Sequence, residues 1–168
     1  GVEDAAAKKN YAVFICNTGG SNQREERFMS VLIEQMVKGV LITPTSLKPA
    51  HIKMLKERGI SVTLIDAAGK AAVECSVSVN DLRGGEIAIE HLVDLHHENI
   101  VWVCGPETIP QLVDRSRGVH AAAKSRKVKV STLRVPEMSF AAGEEAVAEF
   151  LALDPRPTAI FCANDLLA

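Results

Sequence analysis

The sequence predicts an α/β fold of mostly parallel, doubly wound sheet, arranged as two such sheets rather than one. Three observations carry that prediction. Apolar runs of four to eight residues alternate with helical patterns of ten or more, the order that right-handed βαβ crossovers produce. The run Ile-Val-Trp-Val-Cys at 100–104 has no polar residue to mark a wet face, so it reads as a strand covered on both sides, as in a parallel sheet. A stretch without periodicity at 67–75 reads as a surface connection, and the extended run after it marks where the chain crosses from one sheet to the other.

Residues 1–9 are Ala-rich with acids first and lysines last, which suits the end of a helix. Residues 11–16 (YAVFIC) predict a compact strand and 17–22 (NTGGSN) a turn-forming loop. Over 23–37, Phe28, Leu32 and Met36 recur at four-residue steps beside Val31 and Ile33, so a helix with a broad apolar face is expected, ended by Gly39. A strand at 40–43 stops at Pro44. The helix at 48–58 is closed by Gly59, and a third strand at 60–65 has Asp66 just past its end.

The organising unit is 77–118. Val77 and Val79 favour an extended chain, and Asn80 and Asp81 supply capping or turn oxygens. Ile87, Ala88, His91, Leu92 and Leu95 then share one expected buried face of a helix over 83–95. The loop at 105–111 opens at the carboxyl end of the 100–104 strand, where open α/β sheets bind ligands. A helix at 110–125, a strand at 128–135, a helix at 141–153 and a strand at 158–163 complete the alternation, and the sequence stops at the start of another helix.

With 168 residues and 47% of them hydrophobic, the chain can build one ordinary domain or two small lobes. Nineteen basic against 21 acidic residues leave a net charge of −2, which is no electrostatic footprint for nucleic acid or an anionic membrane. Three of the four cysteines (16, 75, 104 and 162) fall in or beside apolar strand-like runs, so single buried thiols in a reducing compartment are expected rather than two disulfides. With neither a leader pattern nor an apolar run near the ~20 residues of a membrane helix, a cytoplasmic location is expected.

His91, His96 and His97 lack HExxH or zinc spacing, and packed or capping roles are expected of them; no metal or cofactor is implied. Gly19-Gly20 and Gly84-Gly85 match neither phosphate-loop pattern and read as turns. No Ser, Cys or Lys has a base at a recognisable spacing, so no enzyme is expected.

Asn-Thr at 17–18, Gly-Val-Leu-Ile-Thr-Pro at 39–44, Leu-Ile-Asp at 64–66, Val-Asn-Asp-x-x-Gly-Gly at 79–85, His-Leu at 91–92, Ile-Val-Trp-Val-Cys-Gly-Pro at 100–106, Arg-x-x-Gly at 115–118 and Ala-Asn-Asp at 163–165 stand in a set order. In that order and spacing the chain resembles the LacI/GalR repressors along essentially its whole length. The resemblance implies their effector-sensing domain, with the type I fold of periplasmic sugar-binding proteins. It implies an N-terminal lobe over 1–79 and a C-terminal lobe over 80–168, incomplete at both ends. The family's first strand would lie before Gly1 and its helix-turn-helix further upstream, so poor folding of 1–168 alone is expected.

The resemblance further implies that Arg115 and Asp165 hydrogen-bond a small effector, a sugar or related polar metabolite, from the second lobe, with Asp66 and Thr43 bordering the cleft from the first. Met138 stands where the family often has an aromatic platform, and Phe140 is the aromatic that would substitute for it. His96-His97 stands where the family tends to have Gly-His, which asks a His to adopt the left-handed conformation. Carboxylate and guanidinium groups suit polyols because each offers paired, directional hydrogen-bonding atoms. The competing readings are an exposed cap or surface ion pair for Arg115 and Asp165, a turn former for Asp66, and a structural residue for Thr43.

The implied protein is a homodimeric sensor whose ligand-driven closure sets its affinity for operator DNA, with no membrane partner. A solute-binding protein feeding a sugar transporter is the alternative, and a doubly wound enzyme with catalytic residues elsewhere is a third.

Overall fold

The computed structural model describes residues 1–19, 21–43, 49–66 and 75–168. The predicted stop at Pro44 and most of the connection at 67–75 lie outside the described residues. The chain divides into two compact units, Gly1–Ser78 and Val79–Ala168.

Unit 1 contains helix α1 (Val2–Ala7), helix α2 (Asn22–Glu34), strand β1 (Gly39–Ile42), helix α3 (Pro49–Glu57), strand β2 (Ser61–Ile65) and strand β3 (Cys75–Val77). Its sheet is parallel in the order β1-β2-β3, with Leu41 opposite Thr63 and Leu64 opposite Ser76. Ser21 caps α2 by accepting from the Arg24 amide, and Gly59 takes a φ of +73° after α3, a conformation glycine adopts without a Cβ penalty. Met29, Ile42, Leu55, Ile60, Val62 and Leu64 form the core of this unit.

Residues 11–16 are not a strand. They form no ladder with β1, β2 or β3, and Phe14 and Ile15 are 76% and 91% exposed. Strand propensity makes the chain extended, but a strand exists only where a neighbour takes its backbone groups. The inward face of α2 is also shifted from its predicted place. Glu25 and Met29 are buried while Met36, beyond the helix in a left-handed conformation, is exposed.

Unit 2 contains helix α4 (Asp81–Asp94), strand β4 (Asn99–Cys104), helix α5 (Pro110–Arg126), strand β5 (Lys129–Arg134), helix α6 (Phe140–Leu151) and strand β6 (Ala159–Cys162). The sheet is parallel in the order β5-β4-β6, so β4 is central and its residues 100–104 are all buried, as the uninterrupted apolar run predicts. Trp102 stacks on Phe161 of β6 with ring centroids 4.7 Å apart.

Helix α4 corrects two expectations. Gly84 and Gly85 lie within the helix rather than in a turn, and Gly85 is buried against α5. A Cβ at Gly85 would collide with the Arg115 carbonyl, and one at Gly118 with the Leu82 carbonyl, so the two helix backbones approach as closely as glycine permits. This contact sets the rotation of the helix. Asp81, Gly85 and Ile89, at four-residue steps, face inward with Leu92 and Val93 beside them, whereas the expected inward residues Ile87, His91 and Leu95 face solvent. Asn80 caps α4 by accepting from the Arg83 amide at 2.9 Å, and His96 ends it with a φ of +67°, where the sequence asks a His to take the left-handed conformation.

The cysteines correct another expectation. All four are free, but only Cys104 is buried; Cys162 is half-buried, and Cys16 and Cys75 are exposed. Cys16 ends the unpaired stretch and Cys75 starts an exposed edge strand, so neither has a covering layer.

Candidate functional site

Arg115 lies in the first turns of α5, on the side turned toward α4 and β6. Its guanidinium is held twice: Nη2 donates to Asp81 Oδ1 at 2.5 Å, and Nη1 donates to the Ala163 carbonyl at 2.5 Å. The Arg115 side chain is 25% exposed and that of Asp81 7%. A charge-assisted bond with so little water around the carboxylate fixes orientation more firmly than a surface ion pair does. The Gly85–Gly118 approach makes the bond reachable by bringing the start of α4 alongside α5.

Ala163 follows β6 at its carboxyl end, and its amide donates to the Val103 carbonyl at 2.9 Å. Asn164 then accepts from the Leu167 amide at 3.1 Å, turning the chain and leaving Asp165 exposed two residues beyond the carbonyl that receives Arg115. Met138 is half-buried and packs on the core of unit 2, with its sulfur over Gly105, where a Cβ would collide with it. Phe140 opens α6 behind the Ser139 cap and is 68% exposed. The loops after β4, β5 and β6 thus gather at the carboxyl end of this sheet, with Arg115 anchored to the last of them.

The other two candidates belong to unit 1. Thr43 follows β1 and is exposed. Asp66 follows β2, is half-buried, takes a φ of +57°, and donates its amide to the Val77 carbonyl at 2.7 Å. That backbone bond continues the pairing of β2 with β3 by one residue past the end of β2.

Sequence reasoning read Asp81 only as a capping or turn residue. The signal that could have found its role is spacing. An acid four residues before a glycine at a close helix crossing falls on the inward face, and an acid there needs a partner.

A groove of about 410 Å³ in unit 2, lined by residues including Leu112, Val113, Arg117, His120 and Arg134, contains none of the six predicted site residues. Its arginines are met by carboxylates, Arg117 by Asp114 at 2.9 Å and Arg134 by Glu107 at 2.8 Å. Among the described residues no group of three His, Cys, Asp or Glu is placed to hold a metal ion. Burial pushes the Cys104 and Cys162 thiols up from their ordinary pKa, which leaves them protonated and poor nucleophiles. No helix among the described residues is long and apolar enough to cross a membrane.

Comparison with known proteins places these observations. The family described as periplasmic binding proteins and sugar binding domain of LacI family matches residues 1–168. The HTH-type transcriptional repressor PurR of Aliivibrio fischeri (strain MJ11) is 27% identical over 173 aligned positions that take in 100% of this chain and 51% of the repressor. The chain therefore spans about half the length of the curated relatives it matches. A PurR family transcriptional regulator from Vibrio parahaemolyticus superposes with a TM-score of 0.85 at 20% identity, over 99% of this chain and 64% of that one. A LacI family regulator from Enterococcus faecium with bound ribose superposes with a TM-score of 0.84 at 24% identity, over 99% and 61%. At those identities the two structures speak for the periplasmic-binding-protein-like fold. The match along all 168 residues does more, and the chain belongs to the family of periplasmic binding proteins and the sugar binding domain of LacI regulators.

Proposed function

We propose that this chain is the effector-sensing region of a LacI-type transcriptional regulator, with unit 1 as its N-terminal lobe and unit 2 as its C-terminal lobe. It takes a small polar effector, a sugar or related metabolite, at the carboxyl ends of its parallel strands. Arg115 and Asp165 are the principal hydrogen-bonding residues, and Asp66, Thr43, Met138 and Phe140 are the further contacts. The regulator is a cytoplasmic homodimer that binds operator DNA through a helix-turn-helix outside this sequence, and it is not an enzyme. An effector that prefers one conformational state must shift the equilibrium toward it, and DNA affinity follows.

The observation that carries this reading is Arg115, buttressed by Asp81 and the Ala163 carbonyl at the end of the sheet where α/β folds bind ligands, in a chain matched throughout to a family of solute sensors. The PurR repressors among its relatives support the regulator over the transporter reading.

A thermal-shift screen of sugars, nucleobases and sugar phosphates on the full-length protein should find an effector. Calorimetry on Arg115→Ala and Asp165→Ala should then show a loss of about 1.5–3 kcal/mol each, the range for a hydrogen bond to a charged group. Unchanged affinity in both would remove these residues from the site. An operator affinity indifferent to the effector would remove the coupling.

A further inference from the structure

The burial of Asp81 is not explained by its position at the start of α4. A carboxylate gains there from the helix dipole while remaining in water, and Asn80 already makes the cap. What burial achieves is the bond to Arg115. With Nη2 on Asp81 and Nη1 on the Ala163 carbonyl, two of the five guanidinium donors hold the group in place, and three N–H groups remain on a side chain still partly in solvent. The positive charge is met by a carboxylate in contact with it, so the pair offers directional donors without net charge.

The neighbouring loops add no positive charge. Segments 105–109, 135–139 and 163–168 contain Glu107, Glu137 and Asp165 and neither lysine nor arginine. The nearest basic residue in these strands, Arg134 at the end of β5, pairs with Glu107.

We infer that Asp81 is a positioning and charge-selecting residue, which makes the Arg115 site accept uncharged polar ligands and reject those carrying phosphate or carboxylate. This rests on the reading of Arg115 as an effector contact. An anion approaching Arg115 meets the like charge of Asp81 next to it, in surroundings where water screens poorly. A hydroxyl group accepts the same N–H bonds without that repulsion.

Inorganic phosphate is the probe, because its use does not depend on knowing the effector. The full-length protein is titrated with sodium phosphate against sodium chloride at matched ionic strength, and melting is followed. The native protein should show no saturable stabilisation by phosphate. Asp81→Asn, which keeps size and one acceptor oxygen but removes the charge, should bind phosphate at least about tenfold more tightly. Combining it with Arg115→Gln should abolish that gain. Saturable phosphate binding by the native protein that Arg115→Gln removes overturns the inference, as does an Asp81→Asn protein with no gain. Should Asp81→Asn not fold, the native titration still decides, and Asp81→Ser supplies a second uncharged variant. If the phosphate results hold while Arg115→Gln leaves effector affinity intact, the effector-site reading falls and the charge compensation at Arg115 survives.

Discussion

The two units are built on the same plan and differ in how far they complete it. Each has three parallel strands, with α3 between β1 and β2 in unit 1 and α5 and α6 between the strands of unit 2, yet in unit 2 the central strand is buried from Ile100 to Cys104, while in unit 1 β3 is exposed along its length and Leu41 of β1 faces solvent. The difference teaches what a parallel sheet requires. Strand propensity is ample in both, but only a strand with neighbours on both edges and helices on both faces becomes a rigid platform. The anchoring of the loops differs in the same way. In unit 2 the loop after β6 is pinned by Arg115, whereas in unit 1 Asp66 is tied by its amide to the end of β3 and Thr43 stands exposed.

The contrast can be tested in full-length protein. The largest effect is expected at Trp102→Ala, which empties the middle of the unit 2 core and should cost about 3–5 kcal/mol in denaturant unfolding followed by circular dichroism. A smaller cost would mean that unit 2 is looser than its burial indicates. Thiol labelling should separate the units next. Cys16 and Cys75 should react at once at mildly alkaline pH, and Cys104 slower on the order of a hundredfold, since burial both blocks access and holds its pKa up so that less thiolate is present at any given pH. Equal rates would end the distinction.

Gly118→Ala should cost about 1–3 kcal/mol by pushing α4 from α5, and should weaken effector binding as well if that contact positions Arg115. Loss of stability with affinity unchanged would separate the helix contact from the site. Removing the α4 cap with Asn80→Ala should cost about 1 kcal/mol by the same melts. Smallest of all, Ile15→Ser should stay within about 0.5 kcal/mol, because the side chain is already in water. A larger loss would show that residues 11–16 are covered in the full-length protein.

Much of the fold was legible because its strongest signals are local. The run at 100–104 cannot be half-wet, Gly59 closes its helix by taking the left-handed conformation, and the strand–helix alternation leaves few topologies. What was illegible depended on partners far away in sequence. Residues 11–16 have the composition of a strand but no neighbour to pair with among the described residues. The apolar periodicity of α4 fits more than one face, and the choice is made by a glycine contact with α5 that the helix's own sequence does not contain. For the same reason the sequence singles out Arg115 but not Asp81, which becomes its partner only once two helices cross.

The stacked ring at the heart of unit 2 has a practical consequence. Trp102 is the sole tryptophan of this sequence, so within it indole emission is an optical label confined to one half. A fluorescence change on adding solute would report on the half that contains Arg115, while events confined to Gly1–Ser78 would pass unseen by that light.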